Sequence, residues 1–231
     1  MKRFFLGGLF LFLLLPALIH GQETASRYLD SFTKKYAGLK DYTTDVRIHY
    51  DIEALKAPDR HARLYYKSPD KVKFETKGIF FFPRQGGYFN PAQFNAEDFE
   101  IKILDHALWN NRKAVRLQLI PKDIKKSNQR FVLTMDIEWN LIILFDTVTA
   151  EGKKIRAAVD YARFGDFDLP THIELQIEVP PAEPNDSKEL IPFGQKTKQI
   201  SGKVSIMYAN YKVNTGLKDE IFTEPEPQPS H

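Results

Sequence analysis

The residue types that carry most enzymatic and metal chemistry are sparse in this chain and poorly spaced for it. Its six histidines, His20, His49, His61, His106, His172 and His231, form no HExxH or HxH pair and adjoin no carboxylate cluster. They therefore outline no metal site, and His49, on the charged side of an alternating stretch, reads as an ordinary surface histidine. Cysteine is absent. Disulfides, thiolate nucleophiles, cysteine-ligated metals and a lipid anchor on an N-terminal cysteine are excluded with it. There is no GxSxG elbow, no GxGxxG turn and no P-loop, so an acyl-enzyme nucleophile, a dinucleotide site and a phosphate cradle lack their sequence signatures. Acids such as Asp136, Glu138 and Asp160 sit in strand-like stretches, and carboxylates alone do not define a glycosidase pair. The expectation is a protein without catalytic residues, metal or cofactor.

Aromatic residues are abundant instead: 18 Phe, 10 Tyr and 2 Trp. The densest group is Ile79 to Pro91, IFFFPRQGGYFNP, where Phe80, Phe81 and Phe82 are consecutive and Tyr88 and Phe89 follow the Gly86-Gly87 pair. Consecutive aromatics cannot all face one core from a regular strand. Two explanations compete: a strand buried on both faces, or one face lining an apolar cavity whose rim is the glycine loop.

The elements that would position these residues follow from periodicity. Met1 to Gly21 has Lys2 and Arg3 ahead of an apolar run from Phe4 to Ile19, the layout of a cleaved signal peptide. As a membrane anchor that run is short of the roughly 20 residues a bilayer span needs. Thr24 to Leu39 places Tyr28, Leu29, Phe32, Tyr36 and Leu39 on one stripe, which predicts an amphipathic helix ending near Gly38. A sheet is its natural partner, and a lipid surface is the alternative. From Asp41 the period becomes two. Val46, Ile48, Tyr50 and Ile52, then Ala62, Leu64 and Tyr66, then Val72 and Phe74 alternate with polar residues, with the KSPD turn at Lys67 to Asp70. Phe99 to Trp109 and Arg112 to Ile120 flank Asn110-Asn111. Arg130 to Val179 reads as a meander with reversals at EGKK and at GDFDLP, Gly165 to Pro170. A proline-rich connector follows Val179, and Lys203 to Lys212 returns to strand period. Residues 22–224 form one domain in this reading, with a flexible tail at 225–231.

The net charge is +3, and Lys2 and Arg3 of the leader supply two of those charges. Nothing in that balance calls for nucleic acid. The pattern predicts one curved antiparallel sheet with the helix on its concave side. A closed β-sandwich is the alternative, and needs a second sheet of equal size. Strand parity and aromatic enrichment nominate Ile48, Tyr50, Leu64, Tyr66, Phe74, Phe80, Phe82, Phe89, Leu117 and Ile206 as ligand-binding residues. Gly86 and Gly87 with Phe32 and Tyr36 are the candidate gate. Lys67, Lys71 and Lys73 either guide an anionic headgroup or are solvated strand charges.

A leader, an amphipathic helix, LYYKSPDKVKFE from Leu64 to Glu75, repeated antiparallel strands and the GLKDEIFTEP segment from Gly216 to Pro225 resemble the LolA-like family of periplasmic lipoprotein carriers. The resemblance covers most of residues 24–224. It implies a mainly β fold with α cover, a strongly curved antiparallel sheet forming a half-open barrel that holds acyl chains. It also implies a monomeric periplasmic carrier for an acylated lipoprotein or lipid, taking cargo from an inner-membrane donor to an outer-membrane acceptor. The chain departs from the family in having Phe74 where the carriers have tryptophan, and Pro83 to Gly87 in place of a DGK-type turn. A non-catalytic envelope module binding a protein partner is the second functional reading, and a cell-envelope hydrolase the third.

Overall fold

The computed structural model describes residues 17–52, 58–77, 88–123, 130–148, 152–179 and 200–223. The helix α1 spans Ala17–Lys35 and is followed by strands β1 (Asp41–Ile52), β2 (Arg60–Lys67) and β3 (Lys71–Thr76). Two short 3-10 turns, Pro91–Phe94 and Ala96–Asp98, lead into β4 (Phe99–Trp109). Then come β5 (Arg112–Pro121), β6 (Arg130–Asp136), β7 (Leu141–Val148), β8 (Lys154–Phe164), β9 (Phe167–Val179) and β10 (Ile200–Val213). A last 3-10 turn covers Asp219–Phe222.

All ten strands join one antiparallel sheet in the order β3-β2-β1-β10-β9-β8-β7-β6-β5-β4. The first strand thus lies inside the sheet, closed on one side by β2 and on the other by the last strand. The edge strands β3 and β4 do not pair with each other, so the sheet stays open. Its two ends differ. The tight turns after β2, β4, β6 and β8 all lie at one end, here the hairpin end. The strand termini flanking 53–57, 78–87, 124–129, 149–151 and 180–199 all lie at the other, the loop end.

Local chemistry accounts for the hairpin end. Asn110 and Asn111 both take positive φ, 48° and 63°, the conformation a two-residue hairpin of matching twist requires. Gly165, at φ 59°, opens the turn into β9. This reversal is tighter than the sequence predicts: the strand resumes at Phe167 and runs through Pro170. A register shift between Asp160 and Tyr161 places Pro170 at a bulge, where a missing N–H is tolerated.

The helix also differs from its expected bounds. It begins at Ala17, inside the expected leader, and ends at Lys35, short of Leu39. The apolar stripe nevertheless continues through the turn that follows, because Leu29, Phe32, Tyr36 and Leu39 are all buried. Lys35 fixes the C-terminal end: its ammonium donates to the Trp139 carbonyl at 2.6 Å and pairs with Asp168 at 2.6 Å. A cation there also suits the negative end of the helix.

Opposite charges face each other on the outer surface. Asp45 pairs with Arg63, Asp105 with Arg116 and Asp146 with Arg156, each pair directly opposed on neighbouring strands. The residues that looked most like chemistry are also accounted for here. Asp136, almost fully buried, accepts from Arg112 and from the Trp139 N–H, while the Arg112 guanidinium stacks 3.9 Å from the Trp139 ring. His49 bonds Asp59 at 2.7 Å, and His172 lies between Asp160 and Ser205. Among the described residues no three His, Asp or Glu side chains gather as a metal site, and no helix is long and apolar enough to cross a membrane.

Candidate functional site on the inner face

The inner face is organised in apolar rows that run across the sheet. One row reads Tyr50, Val204, Leu175, Ala157, Phe145, Leu133, Leu117 and Ile103, each residue opposite the next on the adjoining strand. One pleat nearer the loop end, a second row reads Ile52, Gly202, Ile177, Ile155, Thr147, Phe131, Leu119 and Ile101. Gly202 is required in that row: a Cβ there would lie 2.7 Å from the Ile52 side chain and 2.8 Å from the Asp51 carbonyl.

The hairpin half of the face is packed shut. Phe32 of α1 lies 5.1 Å from Tyr36, 6.2 Å from Phe89 and 5.8 Å from Phe94, ring centre to ring centre. Tyr36 meets Phe89 at 4.9 Å, and Phe89 meets Tyr161 at 6.1 Å. Edge contacts of this kind add to the area the rings bury. Residues 88–94, ahead of β4, therefore pack against the helix and plug the concavity. Phenol hydroxyls anchor them: Tyr42 donates to the Phe89 carbonyl at 2.7 Å and Tyr66 to Asn90 Oδ1 at 3.0 Å. Asn90 Oδ1 also accepts from the Ala92 N–H, capping the first 3-10 turn. Tyr36 donates to the Asp168 carbonyl at 2.6 Å, and Tyr161 to the Ile142 carbonyl at 2.8 Å. Burial is the main cause that raises these phenol pKa values, to about 12 at Tyr66 and further at Tyr36, Tyr42 and Tyr161. They remain neutral donors at any ordinary pH.

The loop half is less closed. Ile52, Ile177, Ile155 and Phe131 are only half-buried although they face inward, and so is Phe145 in the row below. Phe145 joins the two halves, packing 5.4 Å from Phe131 and 6.2 Å from Phe94 of the plug. Among the described residues, these partly exposed side chains form an apolar trough beside the plug, with Leu119, Ile101 and Thr147 of the same row buried.

The residues nominated from sequence divide accordingly. Ile48, Leu64, Tyr66, Leu117 and Ile206 face inward and expose no surface, and Tyr50 and Phe89 are buried with them. Phe74, on the edge strand β3, is half-buried against Tyr88. Phe32 and Tyr36 are buried in the plug. Phe80, Phe82, Gly86 and Gly87 lie outside the described residues. The trough residues Ile52, Phe131, Phe145, Ile155 and Ile177 were missed as a group. Their signal was the same strand parity, carried one pleat further toward the loops. Lys67 and Lys71 are engaged elsewhere: both hold Asp219, at 2.6 and 2.9 Å.

No protein-family model and no curated protein matches the sequence. Solved structures do match the fold. A domain provisionally assigned to outer membrane lipoprotein sorting from Vibrio parahaemolyticus superposes with a TM-score of 0.60 at 12% identity, over 87% of this chain and 97% of its own. A DUF1329 family protein from Desulfovibrio piger gives 0.62 at 10% identity, with the same coverages of 87% and 97%. A LolA superfamily protein from Nitrosomonas europaea gives 0.56 at 13% identity, again over 87% and 97%. The chain has a LolA-like fold. In LolA-like terms the open ten-stranded sheet, the helix on its inner side and the absence of pairing between β3 and β4 are one architecture. The resemblance read from the sequence holds at the level of fold.

Proposed function

We propose that the chain is a non-catalytic periplasmic carrier that shelters the acyl chains of a lipoprotein or lipid against the concave face. It acts as a monomer, exported by a cleaved leader, between an inner-membrane donor and an outer-membrane acceptor. The observation that carries this reading is the trough: inward-facing Ile52, Ile177, Ile155, Phe131 and Phe145 are left half-buried beside a fully packed aromatic plug. The fold shared with a lipoprotein-sorting domain supports the same reading.

The chemistry needed is modest. Each methylene transferred from water to such a surface contributes about 0.8 kcal/mol, so affinity rises with chain length. A chain longer than the trough reaches the plug. Displacing Phe32, Tyr36 and Phe89 would then open the packed row of Ile48, Tyr50, Leu64, Leu117 and Ile206, which makes α1 and residues 88–94 the moving gate. Phe74 borders this space from β3. From the sequence alone, Phe80 and Phe82 are proposed as further ligand-binding residues and Gly86 and Gly87 as part of the gate.

Titration with synthetic lipopeptides of increasing acyl length tests the reading. Affinity should rise roughly tenfold for every two methylenes until the trough is filled. Ile155→Asp, which puts a charge into the trough, should abolish binding while the circular dichroism of the sheet is unchanged. Binding that is independent of chain length, or unaffected by Ile155→Asp, would refute the proposal.

A further inference from the structure

Inside the trough the apolar row is interrupted once by a polar side chain. Thr147 lies between Phe131 of β6 and Ile155 of β8 in the row nearest the loop end. Its parity is that of Phe145, two residues back, so its side chain faces the concave interior, whereas Asp146 points outward to Arg156. It is 2% exposed. Among the described residues its hydroxyl is the buried side-chain polar atom that has no hydrogen-bond partner. Other buried polar side chains of this interior are satisfied: Thr44 donates to the Ala209 carbonyl, and the buried phenols of Tyr36, Tyr42 and Tyr66 each reach an acceptor. A valine in the same space would remove the unpaired group altogether. The hydroxyl is thus costly where it stands unless something that enters the trough accepts a hydrogen bond from it.

We infer that Thr147 Oγ1 donates a hydrogen bond to the carbonyl oxygen of an acyl ester held in the trough. The inference rests on the carrier reading and adds the chemical class and orientation of the cargo. Thr147 stands next to Val148, the last residue of β7, at the loop end. A carbonyl bonded there puts the headgroup out through the loops and sends the methylenes down past Phe145 toward the plug. The site selects a linkage as well as a chain: an ester offers an acceptor at that position, and an ether of the same length offers a much weaker one.

The experiment compares a dipalmitoyl ester phospholipid with its dihexadecyl ether analogue on the full chain, using wild type, Thr147→Val and Thr147→Ser. Wild type and Thr147→Ser should favour the ester by about tenfold, the order of one buried hydrogen bond. Thr147→Val should bind ester and ether equally, and its thermal midpoint without ligand should be unchanged or higher. Equal binding of both lipids by wild type, or a preference that survives in Thr147→Val, would overturn the assignment while leaving the carrier reading in place. A marked loss of ligand-free stability in Thr147→Val would also overturn it, by giving the hydroxyl an internal role. Failure of wild type to bind either lipid would take down the carrier reading, and this assignment with it.

Discussion

Phe32 shows how one side chain serves both stability and access. Its ring touches Tyr36, Phe89 and Phe94, so it fastens the helix to residues 88–94 and both to the sheet. Truncation to alanine leaves a cavity at the centre of this contact and should cost about 3 to 5 kcal/mol. The same truncation lengthens the trough. Phe32→Ala should therefore lower the denaturation midpoint in urea and also shift the acyl-length dependence of binding toward longer chains. A stability loss with no change in length preference would assign the ring to packing alone. The phenols of Tyr36, Tyr42, Tyr66 and Tyr161 each donate to a backbone carbonyl or to Asn90, so they are paired and uncharged.

Among the elements, the C-terminal segment is tied down by hydrogen bonds to Asp41 and ion pairs to Asp219, with Leu217, Ile221 and Phe222 half-buried. The buried carboxylate of Asp41 accepts from the backbone N–H groups of Thr215, Gly216 and Leu217, at 2.8, 3.0 and 3.3 Å. Further on, Lys67 and then Lys71 hydrogen-bond Asp219 and lower its pKa from the ordinary 3.8 to about 2. A carboxylate held below its unfolded value stabilises fully above that value and loses its contribution as pH falls through the folded one. The contribution of Asp219 to the docking of Asp219–Phe222 should therefore be complete above about pH 3.8 and be lost progressively toward about 2. An NMR titration of the Asp219 carboxyl should show the low midpoint in wild type, and Lys67→Met should return it toward 3.8. The elements themselves were largely legible, because alternation in Val46 to Ile52, Leu64 to Phe74 and Ile173 to Val179 has one physical meaning on a half-buried sheet. Three things were not. The end of α1 was hidden because Tyr36 and Leu39 stay on the buried stripe after the helix has stopped. Pro170 read as a turn residue because a bulge that tolerates it leaves no local signature. The trough rows depend on register across shifts near Ile103, Thr134 and Asp160, which no single strand encodes. Pairing of β1 with β10, between the two ends of the chain, is equally non-local.

Among the described residues of the whole molecule, α1 and residues 88–98 pack on the inner face of the ten-stranded sheet and leave Ile52, Phe131, Phe145, Ile155 and Ile177 half-buried. The outer face resolves its share through directly opposed ion pairs, and the hairpin half of the inner face through the aromatic plug. What remains is the trough at the loop end, bounded by strand termini whose connections are the longest in the chain. Under the proposed function an acyl chain covers that apolar surface. The most direct test is to purify the full chain from the envelope of the organism that makes it, without detergent, and extract it with organic solvent for mass spectrometry. The account predicts an acyl-bearing molecule in near-equimolar amount, absent from Ile155→Asp purified in parallel. A protein that carries no acyl-bearing molecule, or one whose lipid content is the same in Ile155→Asp, would contradict it.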